Sequence, residues 1–238
     1  MARDSDPASR RTGPRARDLG ITERYRLLWA ANRLAMRALF RLAATGLDRC
    51  PEAPFQLVCN HHNGFDPLIV LAVTPIRPRI TWFGPIERDF GRGFKNRVMA
   101  FYGGVIPIDP DKTTLLSASR AVRRVFHSRG VLGIFAEGRA ATRETQLLPF
   151  QEGATAFAVH GRVPIVPCAI VGSSELWLRR RVEVRFGAPI MTAGTYGRDA
   201  TAALERRVVD AVRALLPDVE PVSPRGYRPM RWLTRLLR

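Results

Sequence analysis

Short apolar runs that alternate with amphipathic segments constrain the fold of this chain more than any other feature. Phe55–Cys59 and Val131–Phe135 have the length and composition of buried strands, and residues 114–129 have the apolar spacing of a helix. Repeated alternation of this kind within 238 residues predicts a single α/β domain, with a mainly parallel sheet covered by helices on both faces. Further strands are predicted at 79–83, 104–108, 164–171 and 182–186, and further helices at 66–73, 94–101, 152–160 and 201–216.

A polar turn, Asn60-His61-His62-Asn63-Gly64-Phe65-Asp66-Pro67, separates the first of these strands from a second apolar run. Turns at the ends of buried strands are where α/β proteins usually carry their functional residues. On a continuous helix His61 and Asp66 would lie about 140° apart, so they meet only if His61 is in the turn and Asp66 begins the helix. Asp66-Pro67 favours this start, because Asp is a common N-cap and Pro a common first helical residue.

The turn alone allows two interpretations. In one, Asp66 is only an N-cap, and His61 and His62 are only polar turn residues. In the other, Asp66 orients the His61 imidazole as a general base for a hydroxyl group. The second interpretation requires an imidazole whose pKa lies near neutral pH and whose tautomer is fixed. A neighbouring carboxylate supplies both conditions.

The net charge of +17 lies mostly at the two ends of the chain. Residues 1–49 contain 11 Arg against 5 acidic residues, and residues 225–238 contain 5 Arg and no acidic residue. We expect a disordered basic arm at 1–18, an amphipathic membrane-surface helix at 19–48 and, at 225–238, a basic amphipathic tail. The arginines predicted to share one helix face are Arg26, Arg33, Arg37 and Arg41. Packing of the helix and the tail onto the body at 49–224 is the alternative.

Composition and motifs disfavour several classes of protein. The three cysteines are widely spaced and no Cys/His ligand spacing occurs, so we expect reduced thiols in a cytosolic setting and no metal site. No apolar run reaches the ~18 residues of a membrane span. Nucleic-acid binding is disfavoured because the excess charge lies in Leu- and Trp-rich ends and no nucleic-acid-binding motif is present. A serine hydrolase is disfavoured because the chain lacks a Gly-x-Ser-x-Gly motif.

Four sequence blocks follow one another between about residues 55 and 190. They are the turn at 60–67, Gly104-Val105-Ile106-Pro107-Ile108, Phe135-Ala136-Glu137-Gly138-Arg139 with Leu148-Pro149-Phe150 and Gly153-Ala154, and Val163-Pro164-Ile165-Val166-Pro167. Their order and spacing resemble those of the 1-acylglycerol-3-phosphate O-acyltransferase family. In that family the first block is NHxxxxD(P), and the third is FPEGTR followed by LxPFKxGA.

The resemblance implies a fold and an activity. The family's enzymes are membrane-associated and transfer a fatty acyl group from acyl-CoA or acyl carrier protein, as co-substrate, to a glycerolipid hydroxyl, with no bound cofactor. By resemblance His61 is the base and Asp66 orients it. The residues implied at the substrate are Asn60, Gly64, Phe65, Lys112, Glu137, Gly138, Arg139 and Arg143. The implied partners are an anionic membrane surface on the cytoplasmic face, the acyl donor and a lysolipid acceptor, and no nucleic acid.

The chain departs from the family where the acceptor phosphate is expected to bind. Pro110 stands near the position of the second block's arginine, and its side chain has no hydrogen-bond donor, although Lys112 lies close in sequence. Arg139 comes one position early in the third block, and Arg143 is another candidate. We therefore expect acyl transfer with a preference shifted away from lysophosphatidic acid. The alternative is a catalytically silent protein that binds lipid or nucleic acid through its basic ends.

Overall fold

A computed structural model describes residues 21–85, 104–108, 115–151, 153–221 and 227–236. The predicted basic arm at 1–18, the predicted helix at 94–101 and Lys112 lie outside these residues. The helices are α1 (Glu23–Leu39), α2 (Asp66–Val73), α3 (Leu115–His127), α4 (Ala156–Gly161), α5 (Gly197–Arg213) and α6 (Leu233–Leu236). The strands are β1 (Arg41–Thr45), β2 (Phe55–Cys59), β3 (Ile80–Pro85), β4 (Val105–Ile108), β5 (Val131–Phe135), β6 (Ile165–Val171) and β7 (Arg181–Phe186).

The seven strands form one sheet in the order β1-β7-β6-β2-β5-β3-β4. Strands β6, β2, β5, β3 and β4 are parallel, whereas β7 pairs antiparallel with β6, and β1 runs parallel to β7. The predicted mainly parallel α/β fold is therefore confirmed. All five residues of β2 are buried. The carboxyl end of β2 lies between those of β5 and β6, so that polar residues from three loops meet at one edge of the sheet.

Two apolar clusters cover the two faces of the sheet. Helices α1 and α2 pack with Leu57 and Cys59 on one face, and α3, α4 and α5 pack with Val58 and Leu132 on the other. Successive residues of β2 belong to different clusters because the side chains of a strand point alternately to opposite faces. The prediction of helices on both faces is confirmed.

The helix predicted at 19–48 is wrong beyond Leu39. The chain turns extended at Phe40, and Arg41–Thr45 forms β1, which pairs in register with residues 181–185. Arg, Leu and Ala in this segment favour a helix, and β1 is a half-exposed edge strand without an alternating pattern that would indicate a strand. Pairing with a strand about 140 residues further along the chain, which local sequence does not encode, decides its structure.

Three of the four arginines predicted to share one face of α1, Arg26, Arg33 and Arg37, do so, and Arg41 does not. Arg41 is in β1, and Arg33 points toward the body, where its guanidinium donates to the carbonyl of Ala72 at 3.2 Å. The exposed side of α1 also carries Leu27 and Leu34, which are 72% and 74% exposed. The apolar surface of this helix is thus divided between the core and solvent.

The predicted C-terminal tail packs in part onto the body. Within 227–236 only α6 is helical, and its Leu233 and Thr234 are buried. Packing onto the body, the alternative raised from the sequence, therefore holds for this part of the tail.

Candidate active site

The turn at residues 60–65 follows β2 and leads directly into α2. Helix α2 begins at Asp66 with Pro67 in its first turn, and Phe65 is the N-cap. The sequence predicted Asp66 as the N-cap, and this prediction is wrong by one residue. Its carboxylate points back into the turn, where Oδ2 accepts backbone hydrogen bonds from His62 at 2.6 Å and Asn63 at 2.8 Å. One buried oxygen thus fixes the backbone of the turn from inside.

The same oxygen of Asp66 accepts a hydrogen bond from Nδ1 of His61 at 2.9 Å. Burial of Asp66 raises its pKa, but the hydrogen bond and the charge interaction with His61, with help from His62 and the Asn63 N–H, outweigh burial and lower the pKa below its ordinary value. Asp66 is therefore a carboxylate that holds the proton of His61 on Nδ1. The geometry confirms the His/Asp contact that the spacing in the sequence predicted.

The His61 ring is also held from one face by aromatic side chains. Its centroid lies 4.5 Å from that of Phe135, which in turn stacks on Trp82 at 4.7 Å. Gly133 permits this stack, because a Cβ at that position would lie 2.4 Å from the Trp82 ring. The His61 side chain is 22% exposed, and no described residue hydrogen-bonds to its Nε2. An oriented imidazole with an accessible Nε2 lone pair can take a proton from a hydroxyl group.

His62 has a different environment from His61. It is fully buried, and its Nε2 donates to the carbonyl of Arg143 at 3.0 Å. Its Nδ1 lies 3.3 Å from the hydroxyl of Ser173 and 3.4 Å from Nδ2 of Asn60. Both ring nitrogens therefore have partners inside the protein. His62 connects the turn to the loop after β5, and Ser173 is too deeply buried to act as a hydrolase nucleophile.

Glu137 is buried just after β5 and contacts the backbone of the turn at His61. Its Oε1 accepts from the backbone N–H of His61 at 2.8 Å, and its Oε2 accepts from that of Leu148 at 2.7 Å. Burial raises the pKa of Glu137, although both backbone hydrogen bonds and the nearby histidines counteract the rise. Gly138 follows with φ of +68°, a conformation that favours glycine. Glu137 thus stabilises the backbone around His61, and its predicted contact with substrate stays a prediction.

The other residues predicted at the substrate fall into two groups. Both polar atoms of the Asn60 side chain pair with the backbone of Ile170, and Phe65 is buried against Phe40. These two residues support the turn. Arg139 and Arg143 are exposed on the loop after β5, Gly138 is exposed beside them, and Gly64 is half-buried in the turn. The two arginines are therefore available to a ligand, and Lys112 lies outside the described residues.

Sequence analysis missed Glu144. This side chain is buried, and its two oxygens accept backbone hydrogen bonds from Gly172 at 2.7 Å and Ser174 at 2.8 Å. It joins the loop after β5 to the end of β6, so that the three loops of the site form one hydrogen-bonded unit. Because Glu144 stands between Arg and Thr in a polar stretch, no local pattern distinguishes it from a solvated residue.

The chain is similar to known acyltransferases. The Acyltransferase family model matches residues 41–171. A 1-acyl-sn-glycerol-3-phosphate acyltransferase alpha from Bos taurus is 28% identical, and that from Homo sapiens is 27% identical, each over 166 residues. Each match includes 66% of this chain and 56% of the relative, so the chain spans little more than half the length of these relatives.

A solved structure has a similar fold. The crystal structure of the 1-acyl-sn-glycerophosphate (LPA) acyltransferase PlsC from Thermotoga maritima superposes with a TM-score of 0.61 at 16% identity. The superposition covers 80% of this chain and 79% of that one. At this identity the likeness concerns the fold. The family model covers more than half of the chain and includes His61, Asp66 and Glu137, and the chain therefore belongs to the acyltransferase family.

Proposed function

We propose that this protein transfers a fatty acyl group from an acyl thioester, either acyl-CoA or acyl carrier protein, to a hydroxyl of a lysophospholipid. The observation that supports this most directly is the 2.9 Å contact between Asp66 Oδ2 and Nδ1 of His61, whose ring is partly exposed. A carboxylate that fixes the tautomer leaves Nε2 as the basic nitrogen. The family to which the chain belongs gives this base its reaction type.

The proposed reaction passes one proton through His61. Nε2 takes the hydroxyl proton of the lysolipid as its oxygen attacks the thioester carbonyl, and Asp66 stabilises the imidazolium. When the tetrahedral intermediate collapses, the carbon–sulfur bond breaks and the imidazolium returns its proton to the leaving thiolate. The products are an ester and a free thiol, and the histidine is regenerated.

Release of thiol from an acyl-CoA in the presence of a lysolipid tests this reaction. His61→Ala should lower the rate on the order of 10²- to 10⁴-fold, with a circular dichroism spectrum like that of the unmodified chain. Arg207→Gln, on the exposed side of α5, serves as the control. Unchanged activity of the His61 variant would sink the assignment of the base.

The acceptor is proposed to differ from the lysophosphatidate in the relatives' names. Pro110 offers no donor where the family has an arginine, and loss of one charge-assisted contact costs about 1.5–3 kcal/mol, roughly 10- to 150-fold in affinity. A panel of lysolipids compared by kcat/KM should therefore favour a larger head group over a terminal phosphate. Arg139→Gln and Arg143→Gln, two exposed positions of one loop, identify which guanidinium contacts the acceptor. A tenfold preference for lysophosphatidic acid, unchanged by Pro110→Arg, contradicts the proposal.

The protein is proposed to bind peripherally to the surface of an anionic bilayer. That this surface is the cytoplasmic face of the membrane stays a prediction, which rests on the expected reduced thiols. Leu27 and Leu34 face solvent one above the other on α1, with exposed Arg26 and Arg37 nearby. Such a helix can insert its apolar residues at the interface while its arginines contact lipid head groups. In the part of the chain that the structure describes, no helix has both the length and the apolarity to cross a bilayer.

Vesicle co-sedimentation tests this location. Deletion of residues 1–48 would remove β1 from the sheet, so a Leu27→Gln/Leu34→Gln double variant is the better probe. It should bind vesicles containing phosphatidylserine more weakly than the unmodified chain, and added salt should weaken both. Met191→Gln, which changes an exposed apolar side chain between β7 and α5, away from α1 in sequence, is the matched control. Equal binding by the double variant and the control contradicts the role of α1.

A further inference from the structure

The C-terminal segment at residues 227–236, here called the C-terminal strap, packs against the turn that carries His61. Leu233 of the strap is buried in the same apolar cluster as Phe65 and Leu68, the residues on either side of Asp66-Pro67. Met230 packs against this cluster as well. The strap is therefore part of the packing around the candidate active site, although it lies far from the turn in sequence.

Thr234 provides the polar contacts of the strap. Its hydroxyl accepts from the backbone N–H of Leu176 at 2.8 Å and donates to the carbonyl of the same residue at 3.0 Å. Its own backbone carbonyl accepts from Nδ2 of Asn63 at 3.0 Å. Thr234 is buried, so these hydrogen bonds are shielded from water.

Asn63 connects Thr234 to the His/Asp pair through hydrogen bonds. Its Oδ1 accepts from the N–H of Phe65 at 3.1 Å, and its backbone N–H donates to Oδ2 of Asp66 at 2.8 Å. That same oxygen receives Nδ1 of His61. A continuous series of hydrogen bonds therefore runs from Thr234 through Asn63 and Asp66 to His61.

The strap is held in place by the segment that follows β6. The carboxylate of Glu175 binds Arg228 at 2.8 Å and Arg231 at 3.1 Å. The N–H of Leu178 donates to the carbonyl of Pro229 at 2.9 Å. The strap is thus fixed at several points along its length to the segment that follows β6.

We propose that Thr234 is a positioning residue for the reaction, because it holds the Asn63 side chain and thereby the geometry of Asp66 and His61. The proposal rests on the proposed acyl transfer and adds a dependence on a segment about 170 residues from the base. The family blocks between residues 55 and 190 do not include the strap. A base misplaced by a fraction of an ångström retains substrate affinity but loses rate, so the strap affects kcat and leaves KM unchanged.

Three variants test the proposal under conditions in which each is folded by circular dichroism. Thr234→Val keeps the shape of the side chain but removes both hydroxyl hydrogen bonds, and kcat should fall about 5- to 10-fold with KM within about twofold. Thr234→Ser keeps the hydroxyl and should retain a kcat close to that of the unmodified chain. Thr201→Val removes a hydroxyl that donates to the carbonyl of Gly197 on the exposed side of α5, and it should change neither constant.

A double-mutant cycle between Asn63→Ala and Thr234→Val, both in the full chain, measures the coupling directly. If the strap acts through Asn63, the doubly changed chain should be no more than about twofold slower than the slower single variant. Multiplying effects would overturn the proposal, as would a kcat within twofold of the unmodified chain in Thr234→Val. Single-turnover reactions measure the fraction of active molecules in each variant. A loss of rate that is explained entirely by a smaller active fraction would also overturn the proposal.

Failure of this proposal differs from failure of the proposed function. If His61→Ala abolishes acyl transfer while Thr234→Val has full kcat, the base is correctly assigned and the strap only stabilises the fold. If His61→Ala remains active, the assigned base is wrong and the strap has no base to position.

Discussion

The turn after β2 and the loop after β5 each bury a carboxylate next to His61, yet the two carboxylates have different partners. Asp66 binds the His61 imidazole and two backbone N–H groups through one oxygen. Glu137 binds only backbone, the N–H of His61 with one oxygen and that of Leu148 with the other. Their pKa values accordingly move in opposite directions, lower for Asp66 and higher for Glu137.

The comparison separates chemistry from support better than burial does, because both side chains are almost completely buried. A carboxylate that accepts a hydrogen bond from a partly exposed imidazole affects the basicity and orientation of that ring. A carboxylate that accepts only from backbone holds the chain in position. Both groups lie beside the proposed base, and only the first touches the imidazole that takes up and returns a proton in the proposed reaction.

Replacement of Asp66 by Asn should have the largest effect on rate. The amide keeps the size of the carboxylate but cannot stabilise an imidazolium, and it can hold His61 in the wrong tautomer. We expect kcat to fall on the order of 10²- to 10⁴-fold with KM little changed. Steady-state thiol release measures this, and a fall below tenfold would remove Asp66 from the mechanism.

Replacement of His62 by Ala should instead affect stability. It leaves the Arg143 carbonyl without its donor and opens a cavity between the two loops, at a cost of about 2–4 kcal/mol. Urea denaturation measures the loss, and kcat per folded molecule should stay within about tenfold of that of the unmodified chain. The contrast with His61→Ala tests whether adjacent histidines divide catalysis and support. Equal loss of kcat in both variants would contradict this division.

Much of this division was accessible from sequence. The boundaries of β2, α2 and β5 agree with prediction, because strongly apolar runs bounded by turn residues determine them locally. The contact of His61 with Asp66 followed from their spacing and from a helix start at Asp-Pro. Sequence thus located the proposed base and its partner.

The supporting contacts were not accessible, because they join residues distant in the chain. Glu137 reaches Leu148, Glu144 reaches Ser174, and Thr234 reaches Asn63. Family resemblance suggested a substrate contact for Glu137, and only its two backbone partners show that both oxygens are already used. The tail was predicted to be a basic amphipathic segment, with packing onto the body as the alternative, and the burial of Leu233 depends on the tertiary fold.

Replacement of Glu137 by Gln should have a smaller effect than either change in the turn. An amide can accept only one of the two backbone hydrogen bonds, so one buried N–H loses its partner, at about 1–3 kcal/mol. The neutral side chain avoids the burial of a charge, which offsets part of this loss. We expect modest destabilisation in urea and a kcat within about tenfold of the unmodified chain. A rate loss as large as that of Asp66→Asn would show that Glu137 also takes part in the chemistry.

The smallest effect is on the pH dependence of stability. The contributions of the two carboxylates to the free energy of unfolding should change with pH in opposite directions. The pKa of Asp66 is lower in the folded chain than its ordinary 3.8, so the unfolded chain binds its proton first as pH falls. Asp66 therefore contributes stability that is fully present above about pH 4–5 and is lost as pH falls through its folded pKa. The pKa of Glu137 is raised above 4.5, so the folded chain keeps that proton longer as pH rises. Its contribution is present below pH 4.5 and is lost as pH rises through its folded pKa.

Urea denaturation of four chains between pH 3 and 7, the unmodified chain, Asp66→Asn, Glu137→Gln and Thr201→Val, separates these two contributions. The free energy of unfolding of the unmodified chain, relative to Asp66→Asn, should increase with pH at the acid end of this range. Relative to Glu137→Gln, it should decrease with pH above about 4.5, because Gln cannot ionise and does not bury a charge. Thr201→Val should follow the unmodified chain at every pH, since it adds or removes no titrating group. If both differences had the same slope, the two carboxylates would not be distinguished by their partners, and the contrast between the turn and the loop would fail.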